Sequence, residues 1–332
     1  MAAKAPAFWF RRNHPAALAL LPLSLLFRIL AALRRRLYRA GVLSSVRLPV
    51  PVIVVGNIAV GGSGKTPVVE WLVRALVIAG RRPGIVSRGY GSRQDGGVAL
   101  VPPDGDPVRY GDEPVLLARL CGCPVAIGRD RPAAAQALLQ AHPECDVLIS
   151  DDGMQHYRLA RDLELAVVDE RVLGNCWPLP AGPLREPLSR LATVELVIAH
   201  GDLSPTLREA LHAAPVFPMQ LEGAAFRSLT VPDRLLPAAA LAGRRVHAVA
   251  GIGRPQRFFD QLASLGLDVV PHPFPDHHRF VAADLDFGGA QPIVMTSKDA
   301  VKCAAFAPDD CWEFPVRAQI GNSTGTIAAG GG

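Results

Sequence analysis

Pro51-Val-Ile-Val-Val-Gly-Asn-Ile-Ala-Val-Gly-Gly-Ser-Gly-Lys-Thr66 joins two patterns that belong together. Val52 to Val55 are four consecutive β-branched apolar residues, the composition of a strand buried on both faces of a parallel sheet. A glycine-dense turn follows, and Pro67-Val-Val-Glu-Trp-Leu-Val-Arg-Ala-Leu-Val-Ile-Ala79 then reads as a helix that begins near Pro67 and stops at Gly80. Strand, glycine loop and helix in that order are the setting of a phosphate-binding loop. Glycines let backbone N–H groups curl around phosphate oxygens, and the helix N-terminus adds partial positive charge. Ala59, Val60, Gly61, Gly62, Ser63, Gly64, Lys65 and Thr66 would form the cradle of a nucleoside triphosphate. Lys65 would reach the β- and γ-phosphates, and the Thr66 hydroxyl would ligate Mg²⁺. The first glycine of G-x-x-x-x-G-K-[ST] falls on Ala59, which keeps that position small. The plainer alternative is a tight turn without a ligand.

With 332 residues, 49% hydrophobic and 20% charged, the chain is globular and long enough for two domains. Its net charge of +5 is uneven. No acidic residue precedes Glu70, whereas Lys4, Arg11, Arg12, Arg28, Arg34, Arg35, Arg36, Arg39 and Arg47 gather there. That asymmetry implies a local anionic partner rather than nucleic acid, and basic–aromatic interleaving of the base-stacking kind is missing. Pro15 to Phe27 is an apolar run of about 13 residues, short of the roughly 20 that span a bilayer. Arginines follow it rather than a cleavage site, so an interfacial helix on anionic headgroups is expected. The alternative is an amphipathic helix packed on the protein's own core. Cys121, Cys123, Cys145, Cys176, Cys303 and Cys311 lack zinc-finger spacing and read as reduced thiols, Cys121-Gly-Cys123 being at most a weak metal motif.

Further elements alternate. Strands are expected within Arg82–Gly91, Pro124–Gly128, Asp146–Asp152, Leu163–Val168 and Val194–Ala199, with helices over 111–120 and 131–141 and a turn at Asp95-Gly-Gly97. This βα alternation predicts an α/β fold, a P-loop-type parallel sheet with helices on both faces. Ser204–Leu241 reads as a Pro- and Ala-rich link. A smaller C-terminal α/β domain opens at Val246–Gly253, and its Gly251-x-Gly253 is read as a turn; the tail 321–332 reads as frayed. The expected division is 1–45 for the helical N-terminal segment, 46–215 for the P-loop domain, and 216–325 for the smaller domain with its link.

Asp151 and Asp152 close an apolar strand, which places carboxylates where Mg²⁺ sits beside a P-loop. Asp112 or Glu113, in Gly111-Asp-Glu-Pro114, could accept a proton from an attacking hydroxyl, or simply cap a helix. Asp276-His277-His278 offers half of a His–carboxylate pair. Arg88, Arg129, Arg131 and Arg185 lie in expected loops and are either phosphate clamps or solvated surface charge.

Taken together, Gly56-Asn57, Val60–Thr66, Ser87-Arg-Gly-Tyr-Gly91, Gly111-Asp-Glu-Pro114, Gly128-Arg-Asp-Arg131, Asp151-Asp-Gly-Met-Gln-His156, Pro180-Ala-Gly-Pro-Leu-Arg-Glu186, Phe274-Pro-Asp-His277 and Thr296-Ser-Lys-Asp-Ala300 resemble the tetraacyldisaccharide 4′-kinase family of lipid A biosynthesis. The motifs stand in family order from about residue 51 to 300. The resemblance implies transfer of the γ-phosphate of ATP, with Mg²⁺, to the 4′-hydroxyl of an acylated glucosamine disaccharide 1-phosphate, forming lipid IVA. It further implies an N-terminal helix on the cytoplasmic face of the bacterial inner membrane, with no nucleic acid and no obligate protein partner. By the same resemblance Asp112 acts on the acceptor hydroxyl and His277 raises its basicity. Lys65 and Asp152 join them in catalysis. Thr66, Asp151, Asp152, Gln155 and Glu186 surround Mg²⁺, and Arg88, Tyr90, Glu113, Arg129, Arg131, His156 and Arg185 contact substrate. Met154 replaces the family's usual phenylalanine, and Ser297 its usual glutamate.

Two rival readings are a P-loop regulatory or metal-delivery GTPase/ATPase and a membrane adaptor with a degenerate nucleotide site. Against the first, the extra lysine of its deviant loops would fall at Val60, and Thr296-Ser-Lys298-Asp299 lacks the residue that guanine readers place between Lys and Asp. Intact Lys65-Thr66 and Asp151-Asp152 argue against the second.

Overall fold

The computed structural model describes residues 5–92, 97–211, 214–231 and 233–321. Its strands are β1 (Val52–Gly56), β2 (Pro83–Ser87), β3 (Ala99–Leu100), β4 (Val125–Ile127), β5 (Val147–Asp151), β6 (Leu163–Val168), β7 (Leu196–His200), β8 (Val216–Glu222), β9 (Ala225–Ser228), β10 (Leu235–Pro237), β11 (Arg245–Ala250), β12 (Asp268–Pro273), β13 (Ile293–Thr296), β14 (Cys311–Phe314) and β15 (Arg317–Ile320). They form a nine-stranded sheet, ordered β15-β8-β7-β6-β1-β5-β2-β4-β3, and a six-stranded sheet, ordered β10-β9-β14-β13-β11-β12. In the large sheet every pairing from β8 to β4 is parallel, and only β15 and β3 add antiparallel edges.

The reason β1 reads as an unbroken apolar run is visible in its packing. Val52 and Val54 face one core, which also holds Leu138, Leu148 and Ala166. Ile53 and Val55 face another, with Val69, Leu117 and Ile149. Each fully buried side chain of this kind stabilises the fold by about 1.5–3 kcal/mol relative to exposure, so neither face tolerates a polar residue.

The helices are α1 (Pro15–Ala19), α2 (Leu21–Arg39), α3 (Lys65–Ile78), α4 (Pro107–Tyr110), α5 (Asp112–Cys121), α6 (Arg131–Ala141), α7 (Glu170–Leu173), α8 (Pro205–Ala210), α9 (Pro255–Ser264) and α10 (Ser297–Cys303). The α/β architecture is as expected, and most elements lie within a residue or two of their sequence reading. The link does not. Residues 204–241 contain α8 and strands β8 to β10, whose pattern the prolines obscure. Because β8 pairs with β7, the large sheet extends past the expected junction at 215/216 and recovers the chain again at β15. Residues 93–96, which hold Asp95 of the expected turn, and the tail beyond Gly321 lie outside the described residues.

In α2, Leu23, Leu26, Ile29, Leu30 and Leu33 are exposed, and only Ser24 is buried. Their spacing puts an apolar stripe on solvent, contrary to the alternative in which it packs on the core. No described helix is long and apolar enough to cross a membrane. Ser24 Oγ donates to the Pro178 carbonyl (3.0 Å) and accepts from Ala181 N–H (2.9 Å), which ties α2 to the loop before Arg185.

Candidate active site

The glycine loop needs left-handed backbone at Gly61 (φ 119°) and Gly64 (φ 88°), conformations that a side chain disfavours. Gly64 is also the residue before α3, so the helix starts at Lys65, two residues earlier than Pro67 suggests. Ala59 is fully buried and bridges to Leu184. Val60 N–H donates to Pro183 O (2.9 Å) and Arg185 N–H to Ile58 O (2.7 Å). Residues 180–186 are thereby bolted along one side of the loop. Asn57, unassigned by the sequence reading beyond its motif, donates to Gly61 O (3.3 Å) and Ser63 Oγ (3.1 Å) from a buried position.

Asp151 ends β5 next to β1, and Asp152 follows in a left-handed conformation (φ 49°). Lys65 Nζ lies 3.5 Å from Asp152, and Arg185 Nη1 meets both its oxygens at 3.1 and 2.9 Å. Burial opposes charge on Asp152, but Lys65 and Arg185 outweigh it and hold the carboxyl well below the usual range. Asp151 has the opposite fate. Burial, with Glu113 and Asp152 nearby, pushes it up to about 6, while Ser87 Oγ donates to it at 3.2 Å. Met154 is buried against Gly56, so an apolar residue suffices where the family has an aromatic.

The acceptor-side candidates come from both sheets. Asp112 is buried at the start of α5, and its Oδ1 accepts from Glu113 N–H (3.0 Å). His277, on the loop after β12, places Nδ1 2.9 Å from Asp112 Oδ2 and takes a left-handed φ of 58° to do so. The exposed Tyr90 ring lies 5.3 Å from the imidazole. Burial alone would raise the Asp112 pKa, yet the hydrogen bond and charge of His277, together with Lys298 and Lys302, bring it below its ordinary value. The hydrogen bond to Asp112 in turn raises His277. The expectation that His277 raises the basicity of Asp112 is therefore corrected: a cationic neighbour stabilises the carboxylate, and the added basicity resides on the imidazole.

A stability consequence follows from these signs. His277 is raised in the fold, so its contribution is complete below about pH 6.5 and lost as pH rises through the folded value; that of Asp112 is present above about pH 3.9 and lost as pH falls through its depressed value. Melting curves of the wild type and His277→Asn should differ most between those limits and converge in alkali.

Several predicted contacts are placed differently. Arg131 is buried, donating to the carbonyls of Val86 (2.6 Å) and Asp151 (2.8 Å), so it braces β2 against β5 rather than clamping substrate. Glu113 is ion-paired to Lys298, a residue the sequence reading assigned no role. Glu186 accepts from Gln155 Nε2 (2.9 Å), Tyr157 Oη (2.9 Å) and Arg190 Nε (3.0 Å), and Gln155 also donates to Asn57 O (3.1 Å). Both thus tie the Asp152 loop to residues 180–190. His156 is partly buried and, through burial, Arg131 and Arg88, pushed down to about 4; Arg88 and Arg129 are exposed. Ser297 opens α10 behind the Thr296 cap, and nothing in the structure explains its substitution.

A triphosphate cradle alone serves a switch as well as an enzyme. Here the loop after β12 brings the half-buried His277 imidazole onto the buried Asp112 carboxylate, next to Glu113, which feels the charge of Lys65. A phosphate loop with a carboxylate–imidazole pair near it is the arrangement expected of a P-loop phosphotransferase. Comparison with known proteins narrows the class. The sequence model of the family described as tetraacyldisaccharide-1-P 4′-kinase matches residues 16–329. Tetraacyldisaccharide 4′-kinases of Azoarcus sp. (strain BH72) and Aromatoleum aromaticum are 69% and 66% identical, each over 96% of this chain and 92% and 94% of theirs. A crystal structure of LpxK from Aquifex aeolicus in complex with ATP is 30% identical, with a TM-score of 0.76 over 92% of this chain and 95% of that one. The chain belongs to the tetraacyldisaccharide 4′-kinase family and is an ATP-dependent kinase. The rival GTPase reading loses its support: Lys298 is held by Glu113, and Asp299 accepts from Gly251 N–H (3.0 Å) and Thr296 Oγ1 (2.6 Å).

Proposed function

We propose that this chain transfers the γ-phosphate of ATP to the 4′-hydroxyl of a tetraacylated glucosamine disaccharide 1-phosphate, with the phosphate loop as donor site and Asp112–His277 as proton acceptor. The observation that carries this assignment of roles is the 2.9 Å contact between Asp112 and His277 beside the Lys65 loop. Lys65 and Arg185 supply positive charge toward the transferring phosphoryl group, the kind of electrostatic stabilisation that dominates phosphoryl transfer. As the acceptor oxygen bonds to the γ-phosphorus, the bond from that phosphorus to the bridging oxygen of ADP breaks and ADP leaves, while the hydroxyl proton passes to the Asp112–His277 pair. Arg88, Tyr90, Arg129 and His156 are the side chains left to meet the acceptor headgroup.

Thr66, Asp151 and Asp152 are the candidate donors for Mg²⁺, since Gln155 and Glu186 are engaged with one another and with Asn57, Tyr157 and Arg190. The fit rests on the two adjacent carboxylates: a divalent cation would offset the burial and the neighbouring Glu113 and Asp152 charges that raise Asp151, and Mg²⁺ ordinarily takes one or two carboxylates plus phosphate oxygens and water. Bound there, Mg²⁺ supplies charge neutralisation at the β- and γ-phosphates.

The exposed leucine stripe of α2, with Arg28, Arg34, Arg35, Arg36 and Arg39 around it, is read as a helix lying in the cytoplasmic leaflet of the inner membrane, where an acylated acceptor resides. Through Ser24 this helix is coupled to the loop that braces the phosphate site. Removal of residues 1–40 should release the protein from anionic liposomes in a flotation assay, and continued binding would place the membrane contact elsewhere. The function itself is tested by incubating the protein with γ-labelled ATP and the acylated disaccharide 1-phosphate. Label on the lipid at the 4′ position is expected, and label only in released phosphate would refute the kinase assignment.

A further inference from the structure

Behind the phosphate loop lies a buried charged cluster for which phosphoryl transfer as described has no use. His200 ends β7, and Asp169 follows β6; both are almost completely buried. Arg171 holds Asp169 through Nε (2.8 Å) and Nη2 (2.9 Å). The other partner crosses from the small sheet. Arg257, on α9, sets Nη1 3.3 Å from Asp169 Oδ2 and donates through Nη2 to His200 Nε2. His200 Nδ1 lies 3.4 Å from the carbonyl oxygen of Ser63, inside the phosphate loop.

Proton inventory gives this chain of contacts a direction. A guanidinium carries donors only, and Arg257 lies closer to Nε2 of His200 than to Nδ1, which is 3.4 Å from either Nη, so Nε2 is the accepting nitrogen. A neutral imidazole then bears its proton on Nδ1, which faces Ser63 O. The Ser63–Gly64 peptide is planar and trans, so its C=O and the Gly64 N–H point in opposite directions. Holding the carbonyl toward His200 therefore turns the Gly64 N–H to the other side of the loop, the side a phosphate oxygen would occupy. Sterics agree: a Cβ on Gly64 would stand 2.9 Å from His200 Nδ1, so the imidazole is pressed directly against this peptide.

We propose that Arg257 is a positioning residue for ATP, acting through His200 to hold the Ser63–Gly64 peptide with its N–H in the phosphate cradle. The grip on ATP thereby depends on the small sheet being docked, since Arg257 belongs to α9. This rests on the reading of residues 59–66 as the ATP site. A simple ionic latch between the two sheets is the competing account; it would change thermal stability without selective loss of ATP affinity.

The test is ATP binding by calorimetry, and KM and kcat, in the full-length protein carrying Arg257→Ala, Arg257→Lys, His200→Leu and the Arg257→Ala/His200→Leu pair. Arg257→Ala should weaken ATP binding and raise the KM for ATP by about tenfold. The KM for the lipid acceptor should stay unchanged, and kcat should change less than about threefold. Arg257→Lys, which restores one donor but not the fork, should recover part of the affinity. In the double variant the second substitution should add little, because both remove the same link. Should Arg257→Ala fail to fold, the comparison passes to Arg257→Lys, with an expected loss of about threefold. Unchanged ATP affinity, strictly additive losses, or a uniform decline of all constants tracking a lowered melting temperature would each overturn the relay. Wild-type protein that binds no ATP would instead remove the site on which the relay acts.

Discussion

Lys65→Ala is expected to leave a folded protein whose phosphoryl transfer is slower by a factor of about 10²–10³, the usual cost of deleting one preorganised charge or donor at a developing anion. Lys65 opens α3 directly after the left-handed Gly64, so its position is set by the loop and the first turn of a helix packed on the core. In the resting protein its Nζ lies 3.5 Å from Asp152, a contact Arg185 duplicates at 2.9 Å. Loss of the lysine therefore leaves no unpaired buried charge, and the melting temperature should fall only slightly. The rate is the sensitive quantity, because Lys65 is the lysine of the phosphate loop itself. Steady-state transfer of label from ATP to lipid measures it. An unimpaired rate would take the phosphate loop out of the mechanism.

Asp112→Asn should produce a loss of comparable size, about 10²–10⁴ in kcat, with ATP affinity nearly unchanged. The substitution keeps the shape of the side chain and its bond from Glu113 N–H, but removes the charge that faces His277. Since the hydrogen bond to Asp112 is the largest influence raising the imidazole, its pKa should drop in the variant. The acidic limb of the kcat/KM profile should accordingly move to lower pH, while the plateau collapses because the pair no longer carries a full base. Loss confined to the KM for ATP, with kcat and the pH limb preserved, would refute the proton-acceptor role. Replacement of Glu113 tests something different: its partner Lys298 would be left partly buried and unpaired, and destabilisation rather than a pure rate effect is expected.

Local sequence carries a good deal of this site. The four β-branched residues of β1, the left-handed glycines and the start of α3 are all consequences of near neighbours, so residues 52–66 could be read without any tertiary information. Asp151 and Asp152 were legible for the same reason, as the end of an apolar strand. Arg131 shows where such reading stops. In the sequence it is one of several arginines in a loop, and only the packing of β2 against β5 makes it a buried brace for two carbonyls. No side-chain role for Lys298 or Arg257 could be read locally, since each acts on a residue from a distant part of the chain. The strand β8 was hidden by Pro218 within it and Pro215 before it, although its place beside β7 is unambiguous once the sheet is assembled.

The sequence by itself thus determined the phosphate loop, the α/β class and, through ordered motifs, the family. Those follow from short-range backbone preferences and from residue types that have few other uses. Tertiary structure alone decided which charges are spent inside the protein and which face the site. It brought His277 to Asp112 across 165 positions, turned their basicity toward the imidazole, and placed the small sheet's Arg257 behind the loop that opens at Ala59. The physical reason is range: a hydrogen bond or ion pair acts over a few ångströms, and only the folded chain brings such partners within reach.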